Sequence, residues 1–479
     1  VASLEFNLDP ADAARLAKRP GFRAGRSFPI DLTWHDTADG VLASEGLALC
    51  ASAAGWQLSR LAADTPAGSP TVLADARRPD LLNHDLPGPL VPLARLHGVR
   101  RTVRPGPGSD GLQGVELHLL DATMPGHVHP GACRLTVVGP AALLTTLSVA
   151  LAGDLGLRVP QASLAETVLA PALHAASRRQ PVRPPGAPQV SQGQPVTDSL
   201  AMIAGRLLDV MLHWAALAPT ARTPEAVHQM RVATRRLRSA LSVFRTVAAC
   251  PELAALAEPL KLCAAKLGAA RDWDVFIEGI GGRLAAAFPD DRRCAAMLRG
   301  ADRRRRAAYA DLRTFISGPE FRTLSVALAC TVALRPWDGA APPEPLHQDT
   351  NLFAASVLAR RLKQVNTAAR GLRSLPTPAL HELRKDCKKL RYAAEFFSSL
   401  FPQKSARRFL ARLADLQEAL GLLNDSAAVS GLMAQLGRVE QGYAAGLVEG
   451  FSAAAAEPAR TRIMAAWKRF REVDAFWVG

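Results

Sequence analysis

The stretch His228-Gln229-Met230-Arg231-Val232-Ala233-Thr234-Arg235-Arg236-Leu237-Arg238 returns 153 residues later as His381-Glu382-Leu383-Arg384-Lys385-Asp386-Cys387-Lys388-Lys389-Leu390-Arg391. The register holds without a gap through Phe244 and Phe397 to Leu267-Gly268-Ala269-Ala270-Arg271-Asp272 and Leu420-Gly421-Leu422-Leu423-Asn424-Asp425. Such agreement marks an internal duplication. At roughly 100° per residue, His228, Arg231, Arg235 and Arg238 fall within an arc of about 80°, opposite Met230, Ala233, Leu237, Leu241 and Phe244. The second copy sets His381, Arg384, Lys388 and Arg391 in front, with Leu383, Leu390 and Phe397 behind. Both segments therefore read as helices that are apolar behind and cationic in front. Thr223-Pro224 and Thr377-Pro378 read as an N-cap followed by a first-position proline, which puts each histidine in an early turn. A phosphate there would meet side-chain cations and the positive end of the helix.

Like charges one turn apart cost an isolated helix a few tenths of a kcal/mol per pair, and a bound polyanion removes that cost. An ordinary solvated face would pair its cations with nearby acids, yet no acid lies between Glu225 and Glu252. The histidines also read as plain surface or core residues, since neither has a second ligand at metal spacing. No metal is expected. Asp272 and Asp425 could be catalytic acids. The favoured reading of the Leu-Gly-x-x-(Arg/Asn)-Asp segments is structural: glycine stops one helix, and aspartate starts the next or holds a basic side chain. Arg303 to Arg306, Arg360, Arg361, Lys363, Arg407, Arg408, Arg412, Lys468, Arg469 and Arg471 add charge on further helices.

Outward from the repeat, 479 residues imply two to four domains. Hydrophobic residues at 48% and charged residues at 21% exclude a disordered or fibrous chain. A net charge of +15 and a pI near 10.1 point to an anionic partner. The charge is uneven: residues 1–190 carry +1 and residues 191–479 carry +14. Between them lies a stretch rich in proline and glutamine, read as a linker over 179–197. Residues 1–178 have the turn signals (Ala38-Asp39-Gly40, Gly108-Ser109-Asp110-Gly111) of an α+β domain with antiparallel strands. Residues 198–479 read as all-helical. A break at Arg335-Pro336-Trp337-Asp338-Gly339-Ala340-Ala341-Pro342-Pro343-Glu344-Pro345 divides them into halves 198–334 and 350–479. No uncharged apolar run reaches membrane length and the start lacks a secretory pattern, so a cytoplasmic protein without a membrane partner is expected. Seven cysteines (Cys50, Cys133, Cys250, Cys263, Cys294, Cys330, Cys387) stand singly and read as small buried residues, with neither zinc nor disulfides.

At these residues the sequence resembles the CHAD family, the helical domain named for histidine motifs such as His228-x-x-Arg231 and His381-x-x-Arg384. The resemblance covers about residues 195–479 and both copies. It implies two pseudo-symmetric four-helix bundles around a basic groove that binds inorganic polyphosphate, and association with polyphosphate granules. The groove positions it implies are His228, Arg231, Arg235, Arg236, Arg238, His381, Arg384, Lys388, Lys389 and Arg391, with no cofactor.

CHAD domains often follow a CYTH domain, the triphosphate-tunnel fold, and residues 1–178 resemble a degenerate one whose tunnel need not be complete. Trp34-His35-Asp36 through Gly46-Leu47-Ala48-Leu49 matches the family's aromatic, aspartate and "G-x-A-L" pattern, and Val115 to Asp121 matches a later strand. The opening E-x-E-x-K signature is replaced by Glu5-Phe6-Asn7-Leu8-Asp9. Cys50-Ala51-Ser52 stands where arginine would hold phosphate, Arg134 and Thr136 where a carboxylate pair belongs, and Ser163-Leu164 for a serine-lysine pair. A tunnel enzyme needs carboxylates for a divalent metal and cations for the triphosphate. With both sets lost, no enzyme is expected. The expected function is non-catalytic polyphosphate binding; the alternatives are triphosphatase or polyphosphatase activity in the first domain, or generic nucleic-acid binding. Aromatics at 5% do not interleave with the bases, so nucleic acid is not expected as the main partner. A protein partner could use the first domain.

Overall fold

Alternating burial marks the strands in the first part of the chain, and helical periodicity fills the rest. The computed structural model describes residues 1–63, 65–78, 88–106, 111–125, 132–176, 188–219, 224–339, 349–436 and 442–478. The chain forms two compact units: Val1–Pro184 with Ser317–Pro336, and Pro185–Ile316 with Trp337–Gly479.

The first unit is built on a curled sheet of eight antiparallel strands. These are β1 (Ala2–Asn7), β2 (Phe22–Asp36), β3 (Leu47–Ser52), β4 (Gly55–Arg60), β5 (Val72–Ala76), β6 (Val91–Pro105), β7 (Glu116–Thr123) and β8 (Ala132–Gly139). Their order is β1-β8-β7-β6-β2-β3-β4-β5. The short helices α1 (Pro10–Ala17) and α2 (Val41–Ser44) join strands, followed by α3 (Ala141–Asp154) and α4 (Leu164–Ala176). Asp36, 2% exposed, holds the start of α2 by accepting from the amides of Leu42 and Ala43. Ser163 and Glu166 form a reciprocal capping box at α4: Ser163 N donates to Glu166 Oε2 at 2.7 Å and Glu166 N to Ser163 Oγ at 3.0 Å.

The register puts Leu4, Phe6, Leu117, Leu119, Leu135 and Val137 on one face of the sheet, all buried. Against β1 and β8 lies α3, and against both β1 and α3 lies α11 (Pro319–Leu334). Arg322 of α11 donates to the Ala152 carbonyl of α3 at 2.6 Å. On the opposite face Trp34, Ala48, Leu96, Leu120 and Ala122 pack with Ala165, Val168 and Leu169 of α4.

The second unit holds α5 (Val196–Leu217), α6 (Glu225–Phe244), α7 (Pro251–Ala255), α8 (Ala257–Phe276), α9 (Gly282–Ala287) and α10 (Arg292–Ser317). After α11, the chain returns to it with α12 (Thr350–Ala368), α13 (Thr377–Phe397), α14 (Gln403–Met433) and α15 (Tyr443–Arg471). The four main helices of one half, α5, α6, α8 and α10, correspond in order to α12, α13, α14 and α15. Packing joins α5 to α6, α6 to α8, α12 to α13, α13 to α14 and α14 to α15. Across the halves α6 meets α13 and α8 meets α14. The rings of Phe244, Phe353 and Phe397 lie 5.2–6.0 Å apart and fasten α6, α12 and α13 together. Long and apolar enough to span a bilayer by composition alone, α5 is mostly buried in this unit as a core helix.

One expectation is corrected. The first helical half, read as 198–334, gives up its last helix: α11 completes the first unit, because its buried Phe321, Leu324, Leu328 and Ala329 match the apolar surface of α3 and β1. Between the end of α11 at Leu334 and the start of α12 at Thr350, Trp337 is fully buried. Of the expected linker, residues 179–187 lie outside the described ones. Its end is anchored in the second unit, where Val190 N donates to Ser399 Oγ at 2.9 Å and Gln192 Nε2 to the Leu400 carbonyl at 2.9 Å. All seven cysteines are free, and five are buried.

Candidate functional site

On α6 the buried side is Val227, Met230, Ala233, Thr234, Leu237 and Ala240, which leaves His228, Arg231 and Arg235 half-buried and Arg238 exposed on the other side. On α13 Leu383, Cys387, Leu390 and Ala394 are buried, with His381, Arg384, Lys388 and Arg391 half-buried and Lys389 exposed. The amphipathic reading of both segments is thus the observed one. Pro224 precedes the first residue of α6, and α13 starts with Thr377 and Pro378, so both histidines sit early. Thr377 is inside its helix and makes no capping bond; Thr223 lies outside the described residues.

Each copy lays its first arginine across the glycine of the next helix. Arg231 Nη1 donates to the Gly268 carbonyl at 3.2 Å and to Asp272 Oδ1 at 2.9 Å. A Cβ at Gly268 would lie 3.5 Å from the Arg231 guanidinium, and one at Gly421 would lie 3.3 Å from that of Arg384. The reading of these glycines as helix stops is therefore corrected: both are inside long helices, α8 and α14. An arginine from an earlier helix lies over each of them, closer at Gly421 than at Gly268. Asp272 does hold a basic side chain, as read; the Asp425 side chain lies outside those described.

Between α6 and α13 one carboxylate serves two cations. Arg236 donates to Glu395 Oε2, and Arg391 Nε donates to Glu395 Oε1 at 2.8 Å. The Glu395 side chain is 12% exposed, so removing either arginine would leave a largely buried charge less compensated. Arg391 also reaches Gln417 Oε1 at 3.3 Å, and Gln417 Nε2 donates to the Cys387 carbonyl at 2.7 Å. Arg235 places its guanidinium carbon 5.9 Å from the centre of the Tyr392 ring. Lys389 pairs with Asp386 at 2.8 Å. Arg238 lines a cavity of about 640 Å³ with Arg245 and Lys261. The helix without local acids thus recruits them from elsewhere in the unit, Asp272 from α8 and Glu395 from α13.

His228 has its proton affinity lowered, first by burial and then by Arg271, with Arg235 and Arg231 adding to the effect against Glu225. Arg271, read in the sequence only as part of a helix stop, is therefore a member of this cationic group. Its own partners are Asp274 at 3.7 Å and Glu278 at 3.3 Å. Asp274 is 2% exposed and accepts from Tyr309 Oη at 2.8 Å; burial raises its pKa despite Arg271 and Arg305.

A depressed histidine binds fewer protons folded than unfolded. Stability is then lost as pH falls through the ordinary histidine range, and an anion placed beside His228 reverses the trend by favouring the charged ring. Affinity for a polyanion should accordingly rise from about pH 7.5 to about pH 5.5, with a smaller rise in His228→Gln. Titrations across that range in both proteins check this; equal pH profiles would refute it.

In the first unit Glu5 and Asn7 of β1 share one face of the sheet with Arg134 and Thr136 of β8. Glu5 is opposite Thr136, and Asn7 opposite Arg134. Arg134, 5% exposed, donates to the Ala162 carbonyl at 2.8 Å and to Thr167 Oγ1 at 3.1 Å, and lies 3.8 Å from Glu5 Oε2. Burial pushes the Glu5 carboxyl up, opposed by Arg134 and Arg100. Ser163 Oγ donates to the Leu61 carbonyl at 2.5 Å and so serves the scaffold.

The CHAD family model matches residues 202–434. The chain carries a CHAD domain. A crystal structure of the CHAD domain from the plant Ricinus communis is 25% identical, with a TM-score of 0.52, covering 60% of this chain and 96% of that one. PptA from Streptomyces chartreusis aligns at 18% identity and a TM-score of 0.45, over 57% of this chain and 100% of that one. No curated relative matches. The matched residues include both copies of the cationic helix and the glycines over which Arg231 and Arg384 lie. The CHAD family is associated with polyphosphate binding.

Proposed function

We propose that the CHAD domain binds inorganic polyphosphate without chemistry, through the cations of α6 and α13, and that this directs the protein to polyphosphate granules in the cytoplasm. The observation that carries the reading is the duplication itself: two helices of like pattern, in contact, each bearing a row of cations on an apolar back. A linear chain of identical phosphates is the ligand whose own repeat suits a repeated cationic face. Flat stacking surfaces are scarce along the rows, which argues against single-stranded nucleic acid.

The first unit is proposed to support or dock rather than to hydrolyse. In favour stand the apolar packing of α4 over the face carrying Trp34, Leu96 and Leu120, and the commitment of Arg134 to Glu5 and the Ala162 carbonyl. A triphosphatase would need that face polar, with carboxylates free for metal.

Titration of the full chain with long-chain polyphosphate, duplex DNA and RNA at matched phosphate and salt tests the binding reading. Polyphosphate should bind most tightly and lose affinity linearly in log salt through counterion release. Equal affinity for all three would reduce the site to a generic basic surface. Phosphate release from tripolyphosphate with Mg²⁺ or Mn²⁺ would restore the enzyme reading.

A further inference from the structure

The second half of the CHAD domain contains a cavity of about 720 Å³ between the α12–α13 connection and the end of α15. Its lining includes Arg370, Arg373 and Arg471 as cations, Asn366 and Ser374 as neutral polar groups, and the indole of Trp467, with no aspartate or glutamate. Among the described residues none of the three arginines is in an ion pair. The negative end of α15 favours a cation at Arg471, but it does not account for Arg370 and Arg373. Nor does the bundle require them: the corresponding stretch of the other copy, Ala216 to Thr220, has no lysine or arginine. The connection is held in shape. Gly371 takes a φ of +63° that suits glycine, Ser374 Oγ donates to the Gly371 carbonyl at 3.1 Å, and Arg460 Nη2 donates to the Leu375 carbonyl at 3.1 Å. A preformed concave site with converging polar groups is where small ligands bind.

We propose that this cavity binds a nucleoside phosphate, with the base against Trp467, its edge near Asn366, and the phosphates on Arg370, Arg373 and Arg471. Both halves of the ligand are called for by the lining. Cations alone would suit any phosphate, and an aromatic wall alone any flat apolar molecule; their meeting in a cavity of nucleotide size selects a molecule with both. A second cavity of about 350 Å³ shares Asn366 and Arg370 and adds Lys363, giving a longer phosphate tail a further cation. The site is separate from the rows on α6 and α13, so its ligand is independent of the polyphosphate reading.

Calorimetric titration of the full chain with ATP, tripolyphosphate and adenosine in metal-free buffer tests the proposal. ATP should bind at least about tenfold more tightly than tripolyphosphate and than adenosine. The double variant Arg370→Ala/Arg373→Ala should lose about tenfold or more in ATP affinity, while long-chain polyphosphate affinity stays within about twofold. Trp467→Leu should bring ATP and tripolyphosphate to near-equal affinity, with circular dichroism melting confirming the fold. Equal binding of ATP and tripolyphosphate by the unaltered chain, no detectable ATP binding, or an ATP affinity indifferent to the arginine pair would each overturn it. Failure of long-chain polyphosphate to bind would leave these ATP measurements standing, and so separates the two readings.

Discussion

Replacing Arg231, Arg235, Arg384 and Lys388 together by alanine should cut polyphosphate affinity by about 10³-fold or more at low salt. The figure follows from roughly 1 kcal/mol for each charge-assisted phosphate contact, discounted for partial exposure. The slope of log affinity against log salt should fall by about four, one for each cation removed. The fold should survive. Met230, Ala233, Leu237, Leu383 and Leu390 keep the apolar backs intact, alanine favours helix, and like-charge repulsion is relieved. Asp272, with its side chain 50% exposed, can lose Arg231 to water at little cost. Arg236 and Arg391 are left in place because Glu395 depends on both. Binding and melting measured side by side check this; unimpaired binding at an unchanged melting temperature would place the polyanion elsewhere.

The second large effect concerns the sheet. Gly98 of β6 sits opposite Ala122 of β7 and Ile30 of β2, in the middle of the strand order. A Cβ there would lie 2.3 Å from the Asp121 carbonyl oxygen and 2.5 Å from the Ala122 Cα. Both are backbone atoms, so no rotamer change relieves the clash and the strands must part. Gly98→Val should destabilise the first unit by about 3 kcal/mol or more. Its transition in a calorimetric scan should drop by about 2–4 °C per kcal/mol. A scan superimposable on that of the unaltered chain would show that β6 and β7 are not held this closely.

The helices of the CHAD domain and their cationic rows were legible because periodicity and duplication are properties of the chain itself. The pairings that hold the cations were not: Glu395, unread in the sequence, lies 159 residues from Arg236, and Asp272, read as holding some basic side chain, finds it in Arg231 on another helix, 41 residues away. Gly268 and Gly421 were misread for a related reason. A glycine followed by an aspartate signals a helix end locally, while the arginine that lies over each glycine belongs to another helix. In the first domain, turn signals revealed antiparallel strands, but α11 could not be placed. An apolar helix has the same composition whether it covers a sheet or joins a bundle, and only the tertiary partners of Phe321 and Leu324 decide.

The placement of α11 bears on biosynthesis. The N-terminal sheet cannot cover the greasy side of β1 and α3 until residue 334 has left the ribosome, well after α3 ends at Asp154. At about 5–20 residues per second, the nascent protein waits many seconds with that side bare, while the first CHAD helices emerge. A gene fragment cut at the linker would leave α3 and β1 without α11, and α11 without the surface it covers.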